Sequence, residues 1–251
     1  MMKTNQPVAL ISGGTSGIGL ATAAILLEKG WRVMLAGRKE RRGREALDHL
    51  GAAAGAAQYI RCDVTDDRAC AQAVTATLEA FGSLHGLVTS AGIYEEQLLE
   101  ETTPEDVERI FSVNVYGTIS LCRYALPYLK RTQGSIATVS SDAGLQGNVA
   151  CSLYGATKGA VVAFTKSLAL EAAPHNVRVN CVCPGDVDTP MLTAQLAAHP
   201  DTSRDEMKEQ YPLYRLATAA EVGEAIAFLL SPAASFITAT ALPVDGGLTS
   251  W

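Results

Sequence analysis

Short apolar runs alternate with longer helical patterns from one end of the chain to the other, and this rhythm limits the possible folds more than any other feature. VALIS (8–12), RVMLA (32–36), QYIRC (58–62), GLVTS (86–90), SIATVS (135–140), VRVNCV (177–182) and ALPV (241–244) have the length and residue types of strands. Residues 17–29, 40–50, 66–81, 104–131, 152–173 and 219–230 read as helices. Parallel neighbours in a sheet need crossover connections that a helix can cover. The alternation therefore predicts an α/β fold, a doubly wound parallel sheet of seven strands with helices on both faces. Ligands of such sheets bind at the carboxyl ends of the strands.

A chain of 251 residues, 48% hydrophobic, is long enough for one sizeable core, and a single domain spanning 1–251 is expected. Residues 191–213, MLTAQLAAHPDTSRDEMKEQYPL, break the rhythm with polar residues and two prolines, Pro200 and Pro212. An excursion of this length inside an α/β domain reads as a substrate lid. The net charge of -6 argues against nucleic acid and anionic lipid surfaces as partners. No apolar run approaches the roughly 20 residues of a membrane span, and Gly13 and Gly14 cut the first run short of a signal peptide. Six cysteines without a C-x-x-C pair and four scattered histidines predict neither a metal site nor disulfides. A cytoplasmic protein in a reducing compartment is the expectation.

The first strand runs into SGGTSGIG. Gly13, Gly17 and Gly19, with Thr15, Ser16 and Ile18 between them, form a turn whose N–H groups can face a pyrophosphate at the positive end of the next helix. An NAD-binding chain places an acid about 20 residues further on, at the end of the second strand, to hold the ribose 2′-hydroxyl. Here that place reads AGRKERRGR: Gly37 stands where the acid would be, and Arg38 follows it. A guanidinium there can clamp a 2′-phosphate, so NADP(H) is favoured over NAD(H). Asp63, followed by Val64, ends the third strand beside the presumed adenine pocket; the alternative is that Asp63 caps the helix starting near Asp66.

Tyr154 and Lys158 stand four residues apart in SLYGATKGA, so both point to one side of a helix. Ser141 ends a strand thirteen residues earlier, and Asn114 lies in FSVNVYG. A phenol titrates near ~10 and exchanges protons poorly near neutrality unless positive charge stabilises the phenolate. Lys158 supplies such charge, and the small residues Gly155, Ala156, Gly159 and Ala160 are expected to leave room for a nicotinamide ring.

In their order, SGGTSGIG, Asp63, Asn114, Ser141, Tyr154 with Lys158, PGDVDTPM and the late VDGG, the chain resembles the short-chain dehydrogenase/reductase family over nearly its whole length. The resemblance implies a Rossmann sheet and a catalytic set of Asn114, Ser141, Tyr154 and Lys158. In that set Tyr154 donates the proton, Ser141 fixes the carbonyl oxygen, Lys158 also binds the nicotinamide ribose and Asn114 holds a proton-relaying water. It further implies cofactor contacts from Ser90, Ala91 and Gly92, and from Pro184, Gly185, Val187 and Thr189. A homotetramer is implied too, with Trp251 buried at a subunit contact.

Four departures from the family pattern stand out. Thr89 and Ser90 replace two asparagines, which shortens hydrogen-bonding reach. Asp142 is a carboxylate where a small or apolar residue is usual and either faces a polar substrate or caps the next turn, Ala239 stands where glycine is common, and the chain ends at Trp251. The expected function is NADP(H)-dependent reduction of a small-molecule carbonyl or oxidation of an alcohol. The alternatives are an NAD(H)-dependent polyol or sugar dehydrogenase and a non-catalytic nucleotide-sensing or scaffold protein. For a 3-oxoacyl thioester, Lys130 and Arg131 would dock the carrier protein, whereas His175 and the acidic total argue against it.

Overall fold

The structure is a computed structural model that describes residues 6–51, 55–199 and 201–251. All seven expected strands form one parallel sheet. β1 (Val8–Ser12), β2 (Arg32–Gly37), β3 (Ala57–Arg61), β4 (Gly86–Thr89), β5 (Ser135–Val139) and β6 (Arg178–Pro184) are joined by a last strand at Ala241–Val244. The spatial order is β3-β2-β1-β4-β5-β6 and then that last strand, so the winding reverses between β1 and β4. Ser12, the last residue of β1, pairs with Ala36 on one side and Thr89 on the other, which places the ends of three strands around the crevice where ligands of such sheets bind.

Side chains alternate across each strand and feed two cores. Val8 and Leu10 of β1 face α3 (Asp67–Phe81), α5 (Gly117–Thr132) and α6 (Ser152–Ala172), where Val74, Leu121, Leu129 and Leu168 meet them. Ala9 and Ile11 face the opposite layer with α1 (Gly17–Glu28) and α2 (Glu40–Leu50), and meet Leu26 and Ala46. Ile226 and Leu229 of a later helix, Ala219–Leu230, complete that layer. Leu10 and Ile11 are fully buried, each worth about 1.5–3 kcal/mol of transfer free energy.

The single helix expected over 104–131 is divided. α4 (Pro104–Phe111) begins with a reciprocal cap between Thr103 and Asp106 and passes through a π-helical turn at Ser112–Tyr116 before α5. The flanking residues Phe111 and Gly117 are themselves helical, so the stretch is continuous helix and residue types alone do not mark the turn.

The stretch expected as a lid holds α7 (Pro190–Ala198) and α8 (Arg204–Glu209); its Pro200 lies outside the described residues. A two-residue strand β7 (Val187–Asp188) before it pairs with β8 (Ala217–Thr218) after it, and both are too short to give a periodic signal. With these placed, Ala219–Leu230 is α9 and Ala241–Val244 is β9. Arg204 binds Asp188 at 2.8 Å, and the Tyr211 hydroxyl accepts from the Asp186 N–H (2.7 Å) and donates to Asp186 Oδ2 (2.8 Å). The middle and the C-terminal part of the segment are thus tied to residues 186–188.

Ala239 holds φ 63°, a left-handed conformation that costs an L-residue about 1–2 kcal/mol. Because glycine gives back part of that gain as chain entropy, Ala239→Gly is expected to raise stability by up to ~1 kcal/mol in thermal or urea unfolding.

Candidate active site

A groove runs over the carboxyl ends of β1, β2 and β3. Gly13 has φ 65°, and a Cβ on it would lie 2.8 Å from the Ala91 nitrogen; on Gly19 it would lie 2.5 Å from the Gly13 carbonyl oxygen. Any side chain at either place would wedge the turn away from α1 or from the end of β4. Ser16 precedes α1 without a side-chain cap, so the first N–H groups of the helix remain available to an anion. Thr15, Ser16, Gly17 and Ile18 border the groove with Asp63, Val64, Ser90, Ala91, Gly92 and Thr189. The residues present fit a dinucleotide, with a glycine cradle, a free helix start and polar walls.

At the far end of the groove Arg38 is joined by Lys39 and Arg42, two further cations that start the next helix. A Cβ on Gly37 would lie 2.9 Å from Thr15 Cγ2, so Thr15 occupies the space an acid at 37 would need. Asp63 is not the cap of α3. Asp66 takes that role by accepting from the Arg68 N–H, while Asp63 Oδ1 accepts from the Thr65 N–H (3.1 Å) and hydroxyl (2.8 Å). Thr89 Oγ1 is buried without a hydrogen-bond partner.

A second cavity opens from the groove. Ile18, Ser90, Gly92, Thr189 and Met191 border both, whereas Pro184, Gly185 and Val187 border only the second. Ser141, Tyr154 and Lys158 line this second cavity and are at most 8% exposed. Lys158 Nζ donates to the Val139 carbonyl (3.2 Å) and stands 5.5 Å from the centre of the Tyr154 ring. Gly92 fits between Asn114 and Lys158, since a Cβ there would lie 3.3 Å from Asn114 Oδ1 and 3.6 Å from Lys158 Nζ. Asn114, in the π-helical turn, is held by Ile93. Its Oδ1 accepts from the Ile93 N–H (2.9 Å), and Nδ2 donates to the Ile93 carbonyl (3.0 Å) and to Thr157 Oγ1 (3.1 Å).

The small residues around Tyr154 act differently from the expectation. Gly155 faces the Ala143 carbonyl oxygen, at 3.0 Å from an added Cβ, and Gly159 faces that of Gly144. At Gly155 the lack of bulk lets α6 seat against the turn carrying Ser141, a Cβ on Gly159 would make only an ordinary contact at 3.9 Å, and Ala156 is exposed. Small size here sets the separation of helix and turn rather than clearing space for a ring.

Burial pushes the Tyr154 phenol above its ordinary range; a Ser141 contact opposes the shift, and Asp142, Cys151 and Asp186 add to it. Burial pulls Lys158 down to about 8, against the Cys181 and Cys183 thiols. In the protein alone, desolvation therefore outweighs the stabilisation of phenolate that the sequence suggested.

Tyr94, Glu96, Asn148 and Asp186, none of them marked by the sequence, complete the cavity together with Asp142. Ser141 Oγ donates to Asp142 Oδ1 (2.7 Å), and Asn148 Nδ2 donates to Asp142 Oδ2 (3.0 Å). Tyr94 sets its ring edge-on to Tyr154, with centroids 4.8 Å apart, and its hydroxyl donates to Glu96 Oε2 (2.9 Å). Glu96 and Asp186 come from loops far apart in the chain, which no local spacing relates. Among the described residues no group of three His, Cys, Asp or Glu could hold a metal ion, and no helix is long and apolar enough to cross a membrane.

The family model described as "Enoyl-(Acyl carrier protein) reductase" matches residues 13–249. An L-fucose dehydrogenase of Oryctolagus cuniculus is 38% identical over 96% of this chain and 84% of its own length. A cyclopentanol dehydrogenase of Comamonas sp. is 37% identical over the full length of both chains. Among solved structures, an actinorhodin polyketide ketoreductase with NADPH superposes with a TM-score of 0.94 at 34% identity, covering 100% of both chains.

Proposed function

Since the chain belongs to the short-chain dehydrogenase/reductase family and is an oxidoreductase of CH–OH and C=O groups, we propose that NADP(H) is its cofactor, Tyr154 its proton donor and acceptor, and a small neutral carbonyl or alcohol its substrate. The observation that carries this proposal is the shared wall of Ile18, Ser90, Gly92, Thr189 and Met191, which opens the glycine-lined groove onto the cavity holding Tyr154. A nicotinamide bound there supplies or accepts the hydride at the substrate carbon.

The residues of the chain do the rest. In reduction the Tyr154 hydroxyl gives its proton to the carbonyl oxygen, and in oxidation it takes the proton back. Ser141 holds that oxygen in place. Lys158 keeps a positive charge beside the phenol and holds the ribose, and Asn114 fixes Ile93 and Gly92 along the wall between groove and cavity while holding the relaying water. Gly13 to Gly19 receive the pyrophosphate, with Asp63 and Val64 at the adenine and Pro184 to Thr189 at the carboxamide. Residues 191–213 act as the lid over the substrate.

The preference for NADP(H) is supported by three cations at the groove end, Arg38, Lys39 and Arg42, and by the Thr15 methyl in the place an acid would need. Arg38→Ala is expected to lower kcat/KM for NADPH about tenfold and leave that for NADH nearly unchanged, the size of one charge-assisted contact. Initial rates with both cofactors at matched concentrations decide it; faster turnover of NADH by the wild type would reverse the assignment.

A cytoplasmic homotetramer completes the proposal. Trp251 leaves 72% of its surface exposed in the protomer, its indole N–H donating to the Gln210 carbonyl (3.2 Å). Light scattering measures the assembly. A non-catalytic nucleotide sensor would bind NADPH tightly and turn over no member of a panel of carbonyls and alcohols, and that panel is the test of the whole proposal.

A further inference from the structure

Asp142 is 8% exposed, and its carboxylate faces the catalytic cavity beside Tyr154. Each of its oxygens has one protein donor, Ser141 Oγ on Oδ1 and Asn148 Nδ2 on Oδ2. A carboxylate offers about four acceptor positions, so half its capacity remains for a ligand. Ser141 carries a single hydroxyl proton. While that proton lies on Asp142 at 2.7 Å, Ser141 offers lone pairs, not a donor, to the reacting oxygen.

We infer that Asp142 selects substrates carrying a hydroxyl on the carbon next to the reacting one: that hydroxyl donates to Asp142 Oδ1, takes over the position of Ser141, and frees the Ser141 proton for the reacting oxygen. The substrate class is the neutral vicinal diol and its α-hydroxycarbonyl partner. This deepens the oxidoreductase proposal above and rests on it.

Distances support the exchange. Ser141 Oγ lies one hydrogen bond from Asp142, so a substrate oxygen that touches Ser141 has Asp142 within reach of its neighbouring carbon's hydroxyl. The body of the cavity continues the same chemistry. Glu96 and Asp186 each accept one tyrosine hydroxyl, from Tyr94 (2.9 Å) and Tyr211 (2.8 Å). Among the described residues Glu96 Oε1 and Asp186 Oδ1 receive no hydrogen bond from the protein. Three carboxylates close enough for Asp142 and Glu96 to raise the pKa of Asp186 beyond the effect of its burial favour ligands that donate hydrogen bonds, and they repel anions.

The test compares matched pairs in the reductive direction with NADPH: acetone with hydroxyacetone, butanone with acetoin, and cyclohexanone with 2-hydroxycyclohexanone. The wild type is expected to show at least ~10-fold higher kcat/KM for the hydroxylated member of each pair it reduces. Asp142→Ala should bring that ratio to within about threefold of one, and Asp142→Asn, which keeps an acceptor oxygen without the charge, should fall between. NADPH affinity and thermal midpoint are measured alongside to show that the variants fold. A wild-type ratio near one, or a ratio unchanged in Asp142→Ala while both members slow alike, overturns the inference and leaves the oxidoreductase proposal standing. If NADPH binds but no pair is turned over in either direction, both fall together.

Discussion

Tyr154→Phe is expected to lower kcat for carbonyl reduction by at least ~10²-fold, with NADPH affinity retained, because the substitution removes the transferable proton and little else. The ring is what the surroundings hold: Tyr94 packs edge-on at 4.8 Å, Lys158 Nζ lies 5.5 Å from its centre, and only 8% of the residue is exposed. Phenylalanine keeps all of these contacts. A hydroxyl buried against Ser141 with its pKa raised by desolvation is a poor source of phenolate in the protein alone, so in the resting enzyme the proton is present and ready to be donated. Oxidation asks for the reverse, and the positive charge of an oxidised nicotinamide would have to act with Lys158 to make the phenolate accessible. NADPH consumption under single-turnover conditions and cofactor binding by fluorescence give the two readouts. A variant turning over within about threefold of the wild type would falsify the role of Tyr154.

The strands were legible because alternation carries its own explanation. β1 sends Val8 and Leu10 to one core and Ala9 and Ile11 to the other, so a strand buried on both faces reads as an unbroken apolar run. The proposed catalytic set is legible for another reason: Tyr154 and Lys158 are one helical turn apart, and Ser141 lies just past the end of β5, before their helix. Glu96 and Asp186 lie 90 residues apart and meet only through the folded loops, so no pattern in the sequence pairs them. The role of Gly155 is not legible because small size is visible in a sequence but the neighbour it accommodates is not. Here that neighbour is the backbone of the turn bearing Ser141.

The direction of the tyrosine shift teaches the same lesson about charge. A lysine four residues from a tyrosine predicts attraction, and Lys158 Nζ does stand 5.5 Å from the centre of the Tyr154 ring, yet both groups are almost fully withdrawn from water. Desolvation acts on each group separately, raising the phenol and lowering the amine, and it depends on every side chain packed around them rather than on their spacing. The sequence reports which charges are neighbours; only the fold reports how little water they share.

Lys158→Met follows from that balance and separates function from stability. Burial brings the Lys158 amine from the ordinary lysine value of 10.5 to about 8. Between pH 8 and 10.5 the unfolded chain therefore holds a proton that the folded chain has released, and the stability of the apoprotein rises with pH across this window. Below pH 8 both states are protonated, and the folded state bears the full cost of burying the cation, on the order of 3 kcal/mol. Methionine fills the same space without charge, so Lys158→Met is expected to melt higher than the wild type at pH 7 and to lose the rise between pH 8 and 10.5. Its turnover should fall at least ~10²-fold, because the cation beside the Tyr154 phenol is gone. Calorimetry at several pH values and steady-state rates test the two halves together. A variant that is both destabilised at pH 7 and active within about threefold of the wild type would show that Lys158 is held in place for packing alone, with its charge incidental to the chemistry.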